Sequence, residues 1–288
     1  ILLLAIFLLI LVFVPPMSSE AGGAKRWISV FGFSFQPTEP AKLAFIIYLA
    51  AWLDARRAVV KKWNEGFIPF VVVVAILGTL MLMQPDAGTL GVIAITAGFT
   101  YFVGGASIPQ MGMLFLIGAG LFGVLIKTAH YRLERFVSFI NNSVDPLGIS
   151  YLINQALLAI GSGGLLGVGL GKGLQKQGFL PEPMKDSIFA AWSEEAGFVG
   201  GMILVALFIL LCLRGFKIAK NAPDRFGRIL AMGITFWIVF QAFINISSMI
   251  GLVPLTGIPL PLISYGGSSM VSTLAGLGIL LNISKYSK

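Results

Sequence analysis

Apolar runs recur along this chain at a length that a bilayer dictates. Crossing about 30 Å of hydrocarbon at about 1.5 Å per helical residue takes roughly 20 residues. Runs of that order stand near residues 1–16, 40–58, 67–83, 88–104, 108–126, 187–213, 229–250 and 268–283. Hydrocarbon offers no partner to an unpaired amide, so eight such runs predict eight membrane-spanning helices. Charged residues make up only 11% of the 288, against about 25% in ordinary globular domains. The chain therefore reads as all-α, a polytopic transmembrane helix bundle forming a single membrane domain over residues 1–288. Its first run begins at Ile1 without a charged flank or a small-residue cleavage site, which predicts neither a natural start nor a signal peptide. The one cysteine, Cys212, excludes an internal disulfide and a cysteine metal cluster.

The formal net charge of +8 would suit nucleic acid, but its placement points elsewhere. Arg56, Arg57, Lys61 and Lys62 fill the loop after the second run, and Arg214, Lys217, Lys220, Arg225 and Arg228 fill the loop after the sixth. By the positive-inside rule both loops are cytoplasmic. Alternating spans then put residues 17–38, the long segment of about 127–186, and residues 251–265 outside. Nine of the 12 acidic residues (Glu20, Glu39, Asp86, Glu134, Asp145, Glu182, Asp186, Glu194 and Glu195) fall on that side or in the outer half of a span. Carboxylates at such depth are costly and are kept for work.

The long outer loop is expected to hold an interfacial helix and a re-entrant one. In YRLERFVSFI, Arg132 and Arg135 lie three apart beside an apolar stripe of Leu133, Phe136 and Phe139. That pattern suits a helix lying at the interface or, with equal weight, Arg forks meeting an anionic substrate. After Ser150 an apolar half-length stretch breaks into seven glycines between Gly161 and Gly173, and non-helical backbone at membrane depth requires cover from protein or a watery cavity. GKG there lacks the Ser or Thr of a phosphate loop and no parallel-sheet pattern surrounds it, so nucleotide binding is not expected. In FLPEPMKDSIFAAWSEEAGFVGG, from Phe179 to Gly201, Asp186 stands where the sixth run begins, as a helix cap or as something more. Glu194 and Glu195 lie about 12 Å further along a continuous helix and read as a structural pair. His130 is the lone histidine, so no His-based triad or zinc site is available.

At these residues the sequence resembles the SEDS family (shape, elongation, division and sporulation), the FtsW and RodA polymerases of bacterial cell-wall synthesis. The resemblance covers essentially the whole chain through KRWISVFGFSFQPTEPAKLA, MQPDAGT, YRLERFVSFINNSVDPLGISY, IGSGGLLGVGLG, LPEPMKDSIFA with SEE, and GIPLPLISYGGSS. The FtsW group is the first expectation, with a RodA-type elongation polymerase as the neighbouring one. Family members have ten transmembrane helices, so the resemblance implies that two N-terminal helices precede this chain.

The resemblance also implies the reaction. The family polymerises lipid II, a disaccharide-pentapeptide on undecaprenyl pyrophosphate, on the outer face of the bacterial cytoplasmic membrane. It works beside a class B penicillin-binding transpeptidase and, for FtsW, the divisome proteins. The family's essential aspartate aligns with Asp186, which would take the proton from the acceptor hydroxyl in a single inverting transfer. Met184, Lys185 and Ser187 depart from the common motif around it. Substrate-binding residues are expected among Lys25, Arg26, Trp27, Glu39, Lys42, Arg132, Arg135, Glu182 and Lys185, and in the Ser264, Tyr265, Gly266, Gly267, Ser268 run. Positive charge from Lys25, Arg26, Lys42, Arg132, Arg135 or Lys185 would meet the leaving pyrophosphate. A divalent cation, Mg or Mn, is left open as the one cofactor. Membrane lipids are a further expected partner, and nucleic acid is not expected. The competing readings are a lipid II flippase and a non-catalytic scaffold.

Overall fold

The computed structural model describes residues 2–14, 18–21, 24–30, 33–128, 133, 134, 137, 139 and 149–286. Among them are nine α-helices: α1 Leu2–Leu11, α2 Thr38–Ala55, α3 Ile68–Met83, α4 Ala87–Val103, α5 Ile108–Thr128, α6 Ile149–Ser162, α7 Ile188–Lys220, α8 Arg225–Met249 and α9 Gly267–Lys285. Each of the eight apolar runs becomes one helix, and α6 comes from the long loop. Among the described residues, five helical stretches are long and apolar enough to cross a membrane: Trp63–Met83, Ile108–Lys127, Ile188–Lys220, Arg225–Met249 and Gly267–Lys285. Leu2–Leu11 and Ala87–Val103 are apolar but shorter.

The helix starts follow local chemistry. The Asp86 carboxylate accepts from the Thr89 amide (3.2 Å) at the head of α4, and Asp224 accepts from Gly227 (2.7 Å) at the head of α8. At α5 the Gln110 side chain reaches back to the Ser107 amide (2.9 Å), half of a capping box.

The segment before α2, in the expected outer stretch of residues 17–38, forms a three-stranded antiparallel sheet. Its strands are β1 Ser18–Ala21, β2 Ala24–Val30 and β3 Phe33–Phe35, in the order β1-β2-β3. Trp27, Ile28, Val30, Phe33 and Phe35 are the β-branched and aromatic types that favour strands, and Ile28 stands opposite Phe35.

The chain divides into two compact units. One comprises residues 1–114, 211–240 and 266–288; there α2 packs against α1, α4 and α9. Phe99 stacks on Phe236 with ring centroids 4.0 Å apart, and Trp237 is fully buried. The other comprises residues 115–210 and 241–265. Its core gathers Ala156, Ala159, Leu180, Phe189, Ala190, Leu204, Phe208, Ala242, Met249 and Leu260.

Within that second unit α7 is not one continuous helix. Gly197 takes φ 68° and ψ −171°, which interrupts the helical ladder and suits glycine because no Cβ is present to clash. At 33 residues an unbroken α7 would run about 50 Å, well beyond one crossing. The break strands the carbonyls of Glu194 and Glu195 and the amides of Phe198 and Val199. The glycine-rich loop after α6 satisfies all four: Val168 donates to Glu194 (3.0 Å), Gly169 to Glu195 (3.1 Å), Phe198 to Gly164 (2.9 Å) and Val199 to Leu165 (3.1 Å). This approach leaves no room for side chains, since a Cβ on Gly167 would lie 2.1 Å from the Glu195 carbonyl oxygen. The loop expected to line a cavity thus finds its backbone partners in the broken helix.

Candidate active site

The sequence makes one face of α8 polar inside an otherwise apolar helix, with Gln241 and Asn245 four residues apart. Both are 1% exposed. Their amides hold the proline-rich loop that follows the helix: Gln241 donates to the Pro259 carbonyl (3.0 Å) and Asn245 to the Ile258 carbonyl (2.8 Å). The same Asn245 Nδ2 donates to the Asp186 carbonyl (2.9 Å).

Two further bonds join the loop to the same stretch. The Ser264 hydroxyl donates to the Lys185 carbonyl (2.7 Å), and the Tyr265 amide donates to the Met184 carbonyl (2.8 Å). Three consecutive carbonyls, 184 to 186, are therefore each held by a different donor. The loop itself is braced by a turn in which the Leu260 amide donates to the Ser264 hydroxyl (2.7 Å) and the Ser264 amide to the Leu260 carbonyl (2.9 Å). Leu262 sits inside that turn at φ 67°, a conformation that costs a non-glycine residue about 1–2 kcal/mol and persists only where its surroundings fix it.

These bonds place the Asp186 side chain. The residue is half-buried, and its Oδ2 lies 3.4 Å from where a Cβ on Gly257 would stand, so glycine there keeps the space beside the carboxylate open. The helix begins one residue later than expected. Ser187 takes the cap position, its carbonyl accepting from Ala190 (3.0 Å) and Ala191 (3.2 Å). Asp186 is therefore outside the helix, at its approach. Glu182 and Lys185 form an exposed ion pair beside it (3.0 Å).

Glu194 and Glu195 have different work. Glu194 Oε1 accepts from the amides of Leu174 (2.9 Å) and Gln175 (3.2 Å). Glu195 accepts from Gly171 (2.9 Å) and pairs with Lys176. A regular helix would aim them to different sides, but here both serve the glycine loop, which crosses the break beside them.

Lys25, Arg26, Trp27, Glu39, Lys42, Gly266, Gly267 and Ser268 lie in the first unit. Arg26 in β2 donates to the carbonyls of Gln84 (3.1 Å) and Pro85; Trp27 beside it is half-buried. Glu39 and Lys42 are both buried and paired (2.8 Å), with the Lys42 ammonium 5.3 Å from the Trp237 ring centroid. The Ser268 hydroxyl accepts from the Gln36 amide (3.0 Å), while Gly266 caps α9 and Gly267 opens it. Lys25 stands in β2. Tyr265 in the second unit is exposed. Arg132, Arg135 and His130 lie outside the described residues. Among the described residues, no three His, Cys, Asp or Glu side chains converge as a metal site. Asn245 was missed from sequence, although its spacing from Gln241 on an apolar helix carried a signal.

A family model described as a cell cycle protein family, covering FtsW, RodA and SpoVE, matches residues 1–288. Stage V sporulation protein E of Bacillus subtilis is 43% identical over 287 residues, covering 100% of this chain and 78% of its own. A probable peptidoglycan glycosyltransferase FtsW of Geobacter sulfurreducens is 42% identical, covering 99% and 76%. Among solved structures, a chain of a peptidoglycan synthase complex coordinating polymerization and crosslinking superposes with a TM-score of 0.78 at 29% identity, over 99% of this chain and 79% of that one. The rod shape determining protein RodA of Thermus thermophilus gives 0.69 at 30% identity, over 98% and 75%.

Proposed function

This chain belongs to the FtsW/RodA/SpoVE family of cell cycle proteins, and we propose that it is a multi-pass membrane peptidoglycan glycosyltransferase that polymerises lipid II with Asp186 as its general base. The observation that carries the reading is the pinned 184–186 backbone, which presents the Asp186 carboxylate beside Gly257 at the approach to α7.

The chemistry needs little else at the acceptor. A sugar hydroxyl attacks the anomeric carbon of the donor, its proton passes to the Asp186 carboxylate, and the bond to the lipid pyrophosphate breaks. The donor is α-linked to the lipid and the product β-linked, so one inverting displacement suffices. The leaving pyrophosphate carries negative charge, which Lys185 can meet. An exposed ion pair such as Lys185–Glu182 is worth less than about 1 kcal/mol, so the ammonium can exchange partners cheaply. Arg26 and Lys42 are occupied within their own unit. Among the described residues, no three acidic side chains converge beside Asp186.

The outer face of the bacterial cytoplasmic membrane is the proposed location, on the strength of the basic loops at residues 56–62 and 214–228. A class B transpeptidase and the divisome proteins are the proposed partners, in a division role rather than elongation. The test is polymerisation of purified lipid II by the full-length protein with its transpeptidase. Asp186→Asn is expected to lower the rate at least about 100-fold. Wild-type polymerisation by that variant would end the base assignment, and robust lipid flipping without polymerisation would favour a transporter.

A further inference from the structure

We infer that Asn245 is a positioning residue for Asp186, locking the base to the proline-rich loop through one doubly donating amide. This rests on the reading of Asp186 as the base.

The argument starts from the chemistry of a primary amide. Asn offers two N–H donors on one nitrogen, and here that nitrogen meets two carbonyls, Asp186 at 2.9 Å and Ile258 at 2.8 Å. The orientation is fixed by those partners, because a flipped amide would set its oxygen against two oxygens. The two carbonyls belong to segments far apart in sequence, one leading into α7 and the other following α8. Asn245 is the buried side chain that bonds both at once, at 1% exposure on a helix that carries it rigidly.

Its place in the loop makes the link specific. Ile258 follows Gly257, whose missing side chain keeps the space beside Asp186 Oδ2. One amide therefore fixes both the base and the wall opposite it. Gln241, one turn earlier, donates to the next carbonyl of the loop, that of Pro259, while the bond to the Asp186 carbonyl comes from Asn245.

A base displaced by about 1 Å loses up to about 100-fold in rate. Asn245→Ala in the full-length protein with its transpeptidase is thus expected to lower kcat for lipid II polymerisation about 10- to 100-fold, with KM held within about twofold. Gln241→Ala is expected to lose far less, about threefold at most, since it leaves the Asp186 carbonyl bonded. Should Asn245→Ala fail to purify as a monodisperse protein, Ser264→Ala takes its place, because it releases the Lys185 carbonyl from the same stretch. The same kcat loss is expected there.

A kcat within about twofold of wild type for the folded variant would overturn the inference. So would equal kcat losses for Asn245→Ala and Gln241→Ala, which would reduce Asn245 to loop support, or a loss confined to KM. Asp186→Asn is measured alongside. If it polymerises at the wild-type rate, the base reading itself has failed; if it is inactive while Asn245→Ala keeps its kcat, only the positioning role has failed.

Discussion

The stretch from Phe179 to Gly201 holds its acidic residues in two opposite ways. At Glu194 and Glu195 the carboxylates are the hydrogen-bonding groups: they collect the amides of Gly171, Leu174 and Gln175 and the Lys176 ammonium. At Asp186 it is the backbone that is held, with Asn245, Ser264 and Tyr265 bonding the carbonyls of residues 186, 185 and 184. A carboxylate that gathers backbone donors is a fastener. One whose main chain is fastened on consecutive residues is a side chain being aimed.

That contrast predicts opposite responses to substitution. The largest effect should come from closing the space between loop and helix. Gly167→Ala adds a Cβ 2.1 Å from the Glu195 carbonyl at φ +82°, and overpacking with a left-handed backbone should cost more than about 3 kcal/mol. Little folded protein should be recovered, as judged by thermal unfolding in detergent. Glu194→Ala comes next. It orphans the amides of Leu174 and Gln175 and should destabilise the protein by about 2–3 kcal/mol, while the molecules that remain folded keep polymerising. Asp186→Asn should show the reverse pattern, inactive yet within about 0.5 kcal/mol of wild-type stability. If Glu194→Ala were stable and inactive, the division between fasteners and base would break. Smallest is Glu182→Gln, which removes an exposed ion pair and should shift stability by less than about 1 kcal/mol, measured in the same unfolding assay.

Much of this was legible in the sequence because bilayer constraints are local. Every apolar run became a helix, and the position of Asp186 at the approach to α7 followed from where one run begins. The sheet at residues 18–35 was not read, since the glycines at positions 22, 23 and 32 interrupt its strand-forming residues. The break at Gly197 was hidden for a different reason. GFVGG inside an apolar run is compatible with an unbroken helix, and only the loop about 30 residues earlier shows where the stranded amides go. Asn245 sits 59 residues from its Asp186 partner. A pairing at that range leaves no periodic trace; its only local sign was a second amide side chain one turn away.

The seam between the glycine loop and the broken helix is made of main-chain bonds and of the loop amides that Glu194 and Glu195 accept, and it leaves the loop's leucines unneeded there. Leu165, Leu166, Leu170 and Leu174 point outward, 72%, 81%, 73% and 66% exposed. In cross-section the segment is an insulated conductor, with its polar amides turned inward to α7 and a hydrocarbon sleeve around them. A strip built this way keeps its backbone polar groups paired within the protein while presenting leucine to its surroundings.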